Sequence, residues 1–275
     1  MKAILLLTFT LIFTEAKSSQ PFEVHQYGSG RDAVILIPGY ASSPEVWAAT
    51  IETLSPKHRL YVLHFAGFAG KPAASHPTFN GWAEAVANWL KALPEKKLTI
   101  IGHSMGGVMA LYLAAEAPEK VAKVVVVDAL PCLSALNDPN FESRPKADCS
   151  QSIRQMTALS DSAFKAMQQQ GAPWLVNDPS WQEKLVDWSM NSDRHTLASV
   201  YCSFLQVDVR PLLANIRAKV LVQLEAPFTG YQSAISAQYA ELKGVQLAYA
   251  PKGLHFVMVD ASDWYFESLH AFLNQ

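Results

Sequence analysis

The stretch from Leu98 to Ala115, LTIIGHSMGGVMALYLAA, constrains this chain more than any other. A short apolar run (Leu98, Ile100, Ile101) meets Gly102-His103-Ser104-Met105-Gly106, and a small, apolar segment of helical character follows. A strand, a tight turn and a helix form the context in which G-x-S-x-G carries chemistry. Glycines on both flanks leave room for a sharp, strained turn, because no Cβ collides with neighbouring backbone. Such a turn lifts the Ser104 hydroxyl above the end of the strand. The first amides of the helix, Met105 N–H among them, then face the place where negative charge develops in acyl transfer.

On these residues the chain resembles the α/β-hydrolases, in particular the capped, single-domain, esterase-like members, and the similarity runs along nearly all of the mature sequence. The resemblance implies a mostly parallel central sheet with helices on both faces. It also implies a helical cap inserted after the strand that ends at Asp128.

Length and charge fit that picture. The chain has 275 residues, half of them hydrophobic and 17% charged, which suits one α/β domain with an insertion. Net charge is −2 with no basic cluster, which argues against a nucleic-acid partner. Met1-Lys2, an apolar run from Ala3 to Phe13 and Thr14-Glu15-Ala16 read as a secretory signal peptide over residues 1–18. The run is short for a membrane span, although an uncleaved anchor is the competing reading. The chain is therefore expected to be secreted or periplasmic, with no stable membrane insertion once the signal is removed. The hydrolase domain would occupy residues 19–275. Of the three cysteines, Cys132 and Cys149 could close a short loop in an oxidising compartment, leaving Cys202 over. No Cys/His spacing resembles a zinc site.

Along the chain, Phe22 to Tyr27 reads as an edge strand and Ala33 to Ile37 as a buried parallel strand. By resemblance, the turn Pro38-Gly39-Tyr40 after that strand supplies the second oxyanion donor, with the Tyr40 N–H pairing with the Met105 N–H. Family members often carry His-Gly where this chain has Pro38-Gly39, a change that leaves the backbone donor in place. Pro44 to Leu54 reads as a helix, Arg59 to His64 as a strand, and Asn80 to Leu93 as an amphipathic helix whose Trp82 and Trp89 belong to the core. Val121 to Val127 is another buried strand. From 131 to about 209 the pattern changes to short helices around Ile153–Leu159, Ala163–Gln169, Trp181–Met190 and Thr196–Leu205, which resemble the family's cap. A few of Met156, Met167, Trp174, Trp181, Trp188 and Met190 should line an apolar pocket, the rest forming the cap's own core. Pro211–Ile216 reads as a helix, Lys219–Glu225 as a strand, Tyr231–Leu242 as a helix, Val245–Tyr249 as the last strand and Ser262–Leu273 as the closing helix.

A serine hydroxyl needs a base, and eight histidines compete for that role. His255 lies in the loop after the last strand, where family members carry the catalytic histidine, and the order nucleophile, acid, histidine matches. His64 and His76 read as structural or solvated; His25, His58, His195 and His270 lack the context. His103, next to the nucleophile, is expected to point elsewhere on so tight a turn. The acid is read as Asp128, in the arrangement that capped haloalkane dehalogenases show, with Glu225 as the competitor. Ser104 at the elbow argues against dehalogenase or epoxide hydrolase chemistry, which in this family uses Asp there.

The residues thus point to a serine hydrolase cleaving carboxylic esters of small or medium, largely apolar substrates through an acyl-enzyme. A lactonase (including acyl-homoserine lactones) would use the same groups. An amidase or iminopeptidase would want acidic residues to hold an amine, and the cap offers only Asp138, Glu142, Asp148 and Asp161. A non-catalytic ligand receptor on the same pocket is the reading from another class. The chemistry asks for no cofactor and no metal, only side chains and water.

Overall fold

The computed structural model describes residues 20–144 and 146–275; the segment read as a signal peptide lies outside them. Seven strands form one sheet: β1 (Phe22–Tyr27), β2 (Ala33–Ile37), β3 (Arg59–Phe65), β4 (Leu98–His103), β5 (Val121–Val127), β6 (Lys219–Leu224) and β7 (Gln246–Tyr249). Their order is β1-β3-β2-β4-β5-β6-β7. β1 runs antiparallel to β3 and every other pair is parallel. The expected mostly parallel sheet is present. Its inner strands are short, β-branched and buried on both sides, as parallel strands under two helical layers must be.

Alternate residues of each strand feed two cores. Ala33, Ile35 and Ile37 pack in one layer with α2 (Phe79–Ala92) and α3 (Met105–Glu116). Val34 and Leu36 pack in the other with Trp47, just before α1 (Ala48–Leu54), and with Tyr265, Leu269 and Phe272 of α10 (Ser262–Leu273). Trp82 of α2 stacks on Phe65 with ring centroids 4.8 Å apart, a core residue as its spacing predicts. α3 is buried around nearly its whole circumference, which its run of small and apolar residues permits.

Four helices separate β5 from β6: α4 (Ser150–Ala158), α5 (Asp161–Gly171), α6 (Pro179–Met190) and α7 (Arg194–Phe204). Each coincides with one of the expected helices to within a few residues. Side-chain caps explain three of their starts, with Ser160, Asp178 and Asp193 accepting from first-turn amides. After β6 the helix expected over Tyr231–Leu242 is shorter: α8 spans Gln232–Gln238, ending four residues early, and a 3₁₀ segment, Ala226–Tyr231, precedes it. Arg210–Asn215 and Pro44–Trp47 are likewise 3₁₀. A one-turn helix α9 (Val257–Asp260) precedes α10 and has too few residues to leave a periodic signal.

The disulfide differs from the expected one. Cys149 pairs with Cys202, and Cys132 is a free, buried thiol. Cys149 stands at the start of α4 and Cys202 on α7, two helices packed side by side, so contact across 53 residues replaces proximity in sequence. Cys132 is held inside the fold instead, its amide donating to Gln238 Oε1 at 3.0 Å. Closing a loop of 53 residues stabilises by roughly 4 kcal/mol in the chain-entropy picture. Cys202→Ser, or added dithiothreitol, is therefore expected to lower the melting temperature by about 5–10 °C. Cys132→Ser should leave the dithiothreitol response in place, which a melting series with and without reductant will check.

Candidate active site

The chain leaves β2 for β3 on one side and later returns as β4 on the other. The carboxyl ends of β2 and β4 therefore border the crevice where the strand order reverses, the place such sheets offer to ligands. Ser104 follows β4 at φ 54° and ψ −123°, a left-handed conformation that costs a non-glycine residue about 1–3 kcal/mol. The surrounding backbone holds it there. Ser104 N donates to Val127 O at 2.8 Å, and Ser104 O accepts from Gly107 N at 2.8 Å. The two motif glycines are demanded by close approach. A Cβ on Gly102 would lie 2.1 Å from Gly106 O, and one on Gly106 would lie 2.3 Å from Ile37 O.

The turn after β2 lies against this elbow: a Cβ on Gly39 would sit 3.2 Å from Ser104 Cβ. Tyr40, whose N–H is one expected oxyanion donor, borders the same cavity as Ser104, and Met105, which carries the other, is the first residue of α3 directly after it. Among the described residues neither donates to a backbone carbonyl through the loops and turns. The Tyr40 phenol is anchored elsewhere, donating to Leu197 O of α7 at 3.0 Å.

His255 sits in the loop between β7 and α9, and its Nδ1 lies 2.6 Å from Asp128 Oδ2. A carboxylate can only accept, so Nδ1 carries the proton and Nε2 is left as the free base. Asp128, at φ 51° just past β5, is buried, with Oδ1 accepting the Glu225 amide at 2.7 Å. Thus Asp128 is the residue that holds the ring. Glu225, the competing acid, contributes its backbone N–H to that arrangement and turns its carboxyl to the same pocket.

Electrostatics follow from this packing. Burial works against a charged His255 ring, but the Asp128 hydrogen bond and charge, joined by Glu225, outweigh it and raise its pKa above the ordinary histidine value. The Glu225 carboxyl is pushed up to about 7, first by burial and then by the Asp128 charge, with His255 acting in the opposite sense.

Ser104, Asp128 and His255 border one cavity of about 470 Å³ whose walls are mainly apolar. Of the cap residues expected to line it, only Trp174 does, together with Leu133, Leu175, Tyr201, Phe204 and Phe228. Trp188 is buried within the four-helix segment and meets Trp181 edge-on at 6.0 Å, while Met167 faces outward. Helical spacing shows which face of a helix is apolar, not which apolar face looks into a cavity. None of Asp138, Glu142, Asp148 or Asp161 borders it. Among the described residues no cluster of side chains suits a metal ion, and no helix is long and apolar enough to cross a membrane.

The family model described as "alpha/beta hydrolase fold" matches residues 32–148, which contain β2, the elbow and β5. The fold is that of the α/β-hydrolases. The chain is 25% identical over 260 residues to the pimeloyl-[acyl-carrier protein] methyl ester esterase of Aliivibrio fischeri, covering 90% of this chain and 95% of that one. Among solved structures it is similar to a hydrolase of Pseudomonas aeruginosa, with a TM-score of 0.74 at 19% identity over 92% of this chain and 94% of that one. It is likewise similar to an esterase of Exiguobacterium antarcticum, with a TM-score of 0.74 at 17% identity over 92% and 96%.

The raised His255 and the nearby Glu225 give a pH prediction. A base works only when neutral, so the acid limb of the hydrolase's kcat/KM profile should lie above the ordinary histidine range. Glu225→Gln removes a negative charge that favours the imidazolium. It should move that limb down, measurable in a pH–rate profile of the two proteins.

Proposed function

We propose that this chain is an exported serine esterase acting on carboxylic esters of small or medium, largely apolar acids. The observation that carries the reading is the convergence of Ser104, His255 and Asp128 on one apolar-walled cavity at the strand ends. Ser104 Oγ attacks the ester carbonyl as its proton passes to His255 Nε2, while Asp128 keeps the ring oriented and stabilises its positive form. The Tyr40 and Met105 amides receive the oxyanion. The tetrahedral intermediate collapses, His255 protonates the departing alcohol oxygen, and an acyl-Ser104 ester remains. Water then gives its proton to His255, attacks the acyl carbon, and releases the acid with the serine restored.

An ester is favoured over an amide because alkoxide departs with less assistance than an amine, and because the cap's acidic residues stay outside the cavity. The methyl ester named for the Aliivibrio relative supports a small alcohol as the leaving group. In this reading residues 19–275 are the hydrolase domain and 131–209 its cap. Trp174, 81% exposed at the cavity's border, would be the part of the cap that a substrate meets first. Residues 1–18 would direct the chain out of the cytoplasm, and the Cys149–Cys202 pairing suits the oxidising compartment beyond.

A p-nitrophenyl ester series, set beside lactones and amides, tests the substrate class, and a fluorophosphonate probe tests the nucleophile. Wild type should label and hydrolyse esters. Ser104→Ala should lose labelling and at least about 10³-fold in kcat, and Asp128→Asn about 10³–10⁴-fold. Wild-type ester turnover by Ser104→Ala would refute the mechanism.

A further inference from the structure

His103 is the motif's second residue, and the reaction outlined above gives it no task. Its side chain is 1% exposed and lies between the two loops that the chemistry needs. On one side Nε2 is 3.0 Å from the backbone oxygen of His255. The ring stands 4.7 Å from the His255 ring and 4.5 Å from that of Phe256, centroid to centroid. On the other side Nδ1 faces the turn after β2, where a Cβ on Gly39 would come within 2.9 Å of it. Among the described residues Nδ1 has no hydrogen-bond partner.

These contacts decide the tautomer. A carbonyl oxygen can only accept, so Nε2 must carry the hydrogen, and the neutral ring then presents a bare lone pair at Nδ1. No acceptor is needed there, which explains how an unpartnered buried nitrogen is tolerated against Gly39. Burial, and then the neighbouring His255, push the pKa of His103 well below the ordinary value, so the ring stays neutral.

The geometry points to His103 as a positioning residue: its Nε2–H, donated to the His255 carbonyl, ties the base loop to the nucleophile elbow, and its opposite edge spaces the Gly39-Tyr40 turn. His103 is bonded covalently to Ser104, so one rigid ring relates nucleophile, base and oxyanion turn. The base loop has other ties, to the ends of β5 and β6 and to the segments outside: His255 Nδ1 to Asp128 Oδ2 at 2.6 Å, Ala226 N to Gly253 O at 3.2 Å, Leu254 N to Asp260 Oδ2 at 2.9 Å, and Phe256 N to Leu175 O at 3.1 Å. The His103 bond is the one that reaches across from β4. The inference rests on the esterase reading for its catalytic consequence, and on the hydrogen bond alone for its structural content.

Two experiments test it, and they fail separately. In wild-type protein carrying ¹⁵N-histidine, NMR should show His103 neutral with Nε2 protonated from about pH 5 to about pH 9. A proton on Nδ1, or a charge gained within that range, overturns the inference whatever the activity. In the second experiment His103→Phe keeps a flat ring without a donor, while His103→Gln restores an N–H at similar reach. Against a p-nitrophenyl ester, His103→Phe should lose about 100-fold in kcat with KM changed less than about threefold, the size expected for a small misplacement of reacting groups. The acid limb of its pH profile should also fall as the His255–Asp128 contact loosens. His103→Gln should recover at least about tenfold of that loss. A Phe variant with wild-type kcat, or a Gln variant no better than a folded Phe variant, overturns the inference. Should the Phe variant not fold, the NMR tautomer decides. A wild type inert to esters would remove the proposed function and still leave the tautomer to be read.

Discussion

The site depends on a contact between backbone atoms. The first turn of α3 presses on the end of β2 so closely that a Cβ on Gly106 would fall 2.3 Å from Ile37 O and 2.6 Å from Pro38 O. Glycine there is what lets the nucleophile's helix and the turn bearing Tyr40 share one crevice. Gly102 does the same one strand away, letting the elbow fold over Gly106 O. Ser104 can then hold its left-handed conformation, because hydrogen bonds to Val127 and Gly107 fix the residue from both sides. Sheet order supplies the other half of the constraint. Only where β2 and β4 are neighbours, with the chain departing in opposite directions, do two loops from distant sequence meet over an open end.

Around that backbone frame, charge is arranged economically. Asp128 is buried, which is costly for a carboxylate unless both oxygens find partners. It finds them in His255 Nδ1 and the Glu225 amide, so one side chain orients the base and fixes the start of the loop after β6. Glu225, close by but not hydrogen-bonded to the ring, answers by rising to about 7. Its burial and the neighbouring Asp128 charge are what raise it. The hydrogen bond to His255 distinguishes Asp128 from Glu225, and it exists only in three dimensions.

Sequence made the sheet and the elbow legible because both are written locally. Val121–Val127 and Ala33–Ile37 are short, β-branched and bounded by turn residues, and the strands have those same limits. The glycine spacing around Ser104 announced a turn that could be tight, and φ 54° is the result. What remained hidden was whatever depends on helix against helix or loop against loop. Cys149 finds Cys202 because α4 lies along α7, a packing that no spacing encodes. Trp174 reaches the cavity while Trp181 and Trp188 meet each other, although all three are tryptophans on one run of short helices. His103, expected to point away, packs on the base loop instead, because its direction is set by a carbonyl 152 residues further on.

The four-helix segment is not a separate body resting on this frame. It joins each site loop through a specific bond: Tyr40 Oη to Leu197 O of α7, Leu175 O to Phe256 N beside the base, and Asn177 to Asp260 at 2.8–3.1 Å. Asp260 also receives Leu254 N, so a single carboxylate ties the segment to the loop that carries His255. Across the segment, the loop at Gly67 and Gly70 is bonded to Asp193 and Asn191, between α6 and α7. The disulfide lies on neither seam and stiffens α4 against α7 inside the segment itself. Any outward swing of Leu175 therefore pulls on the backbone next to His255. Trp174 and Leu175 at the cavity's border are in this way linked to the loop that carries His255. The apolar walls of the cavity and the Asp128–His255 pair are thus held in register by the same few hydrogen bonds.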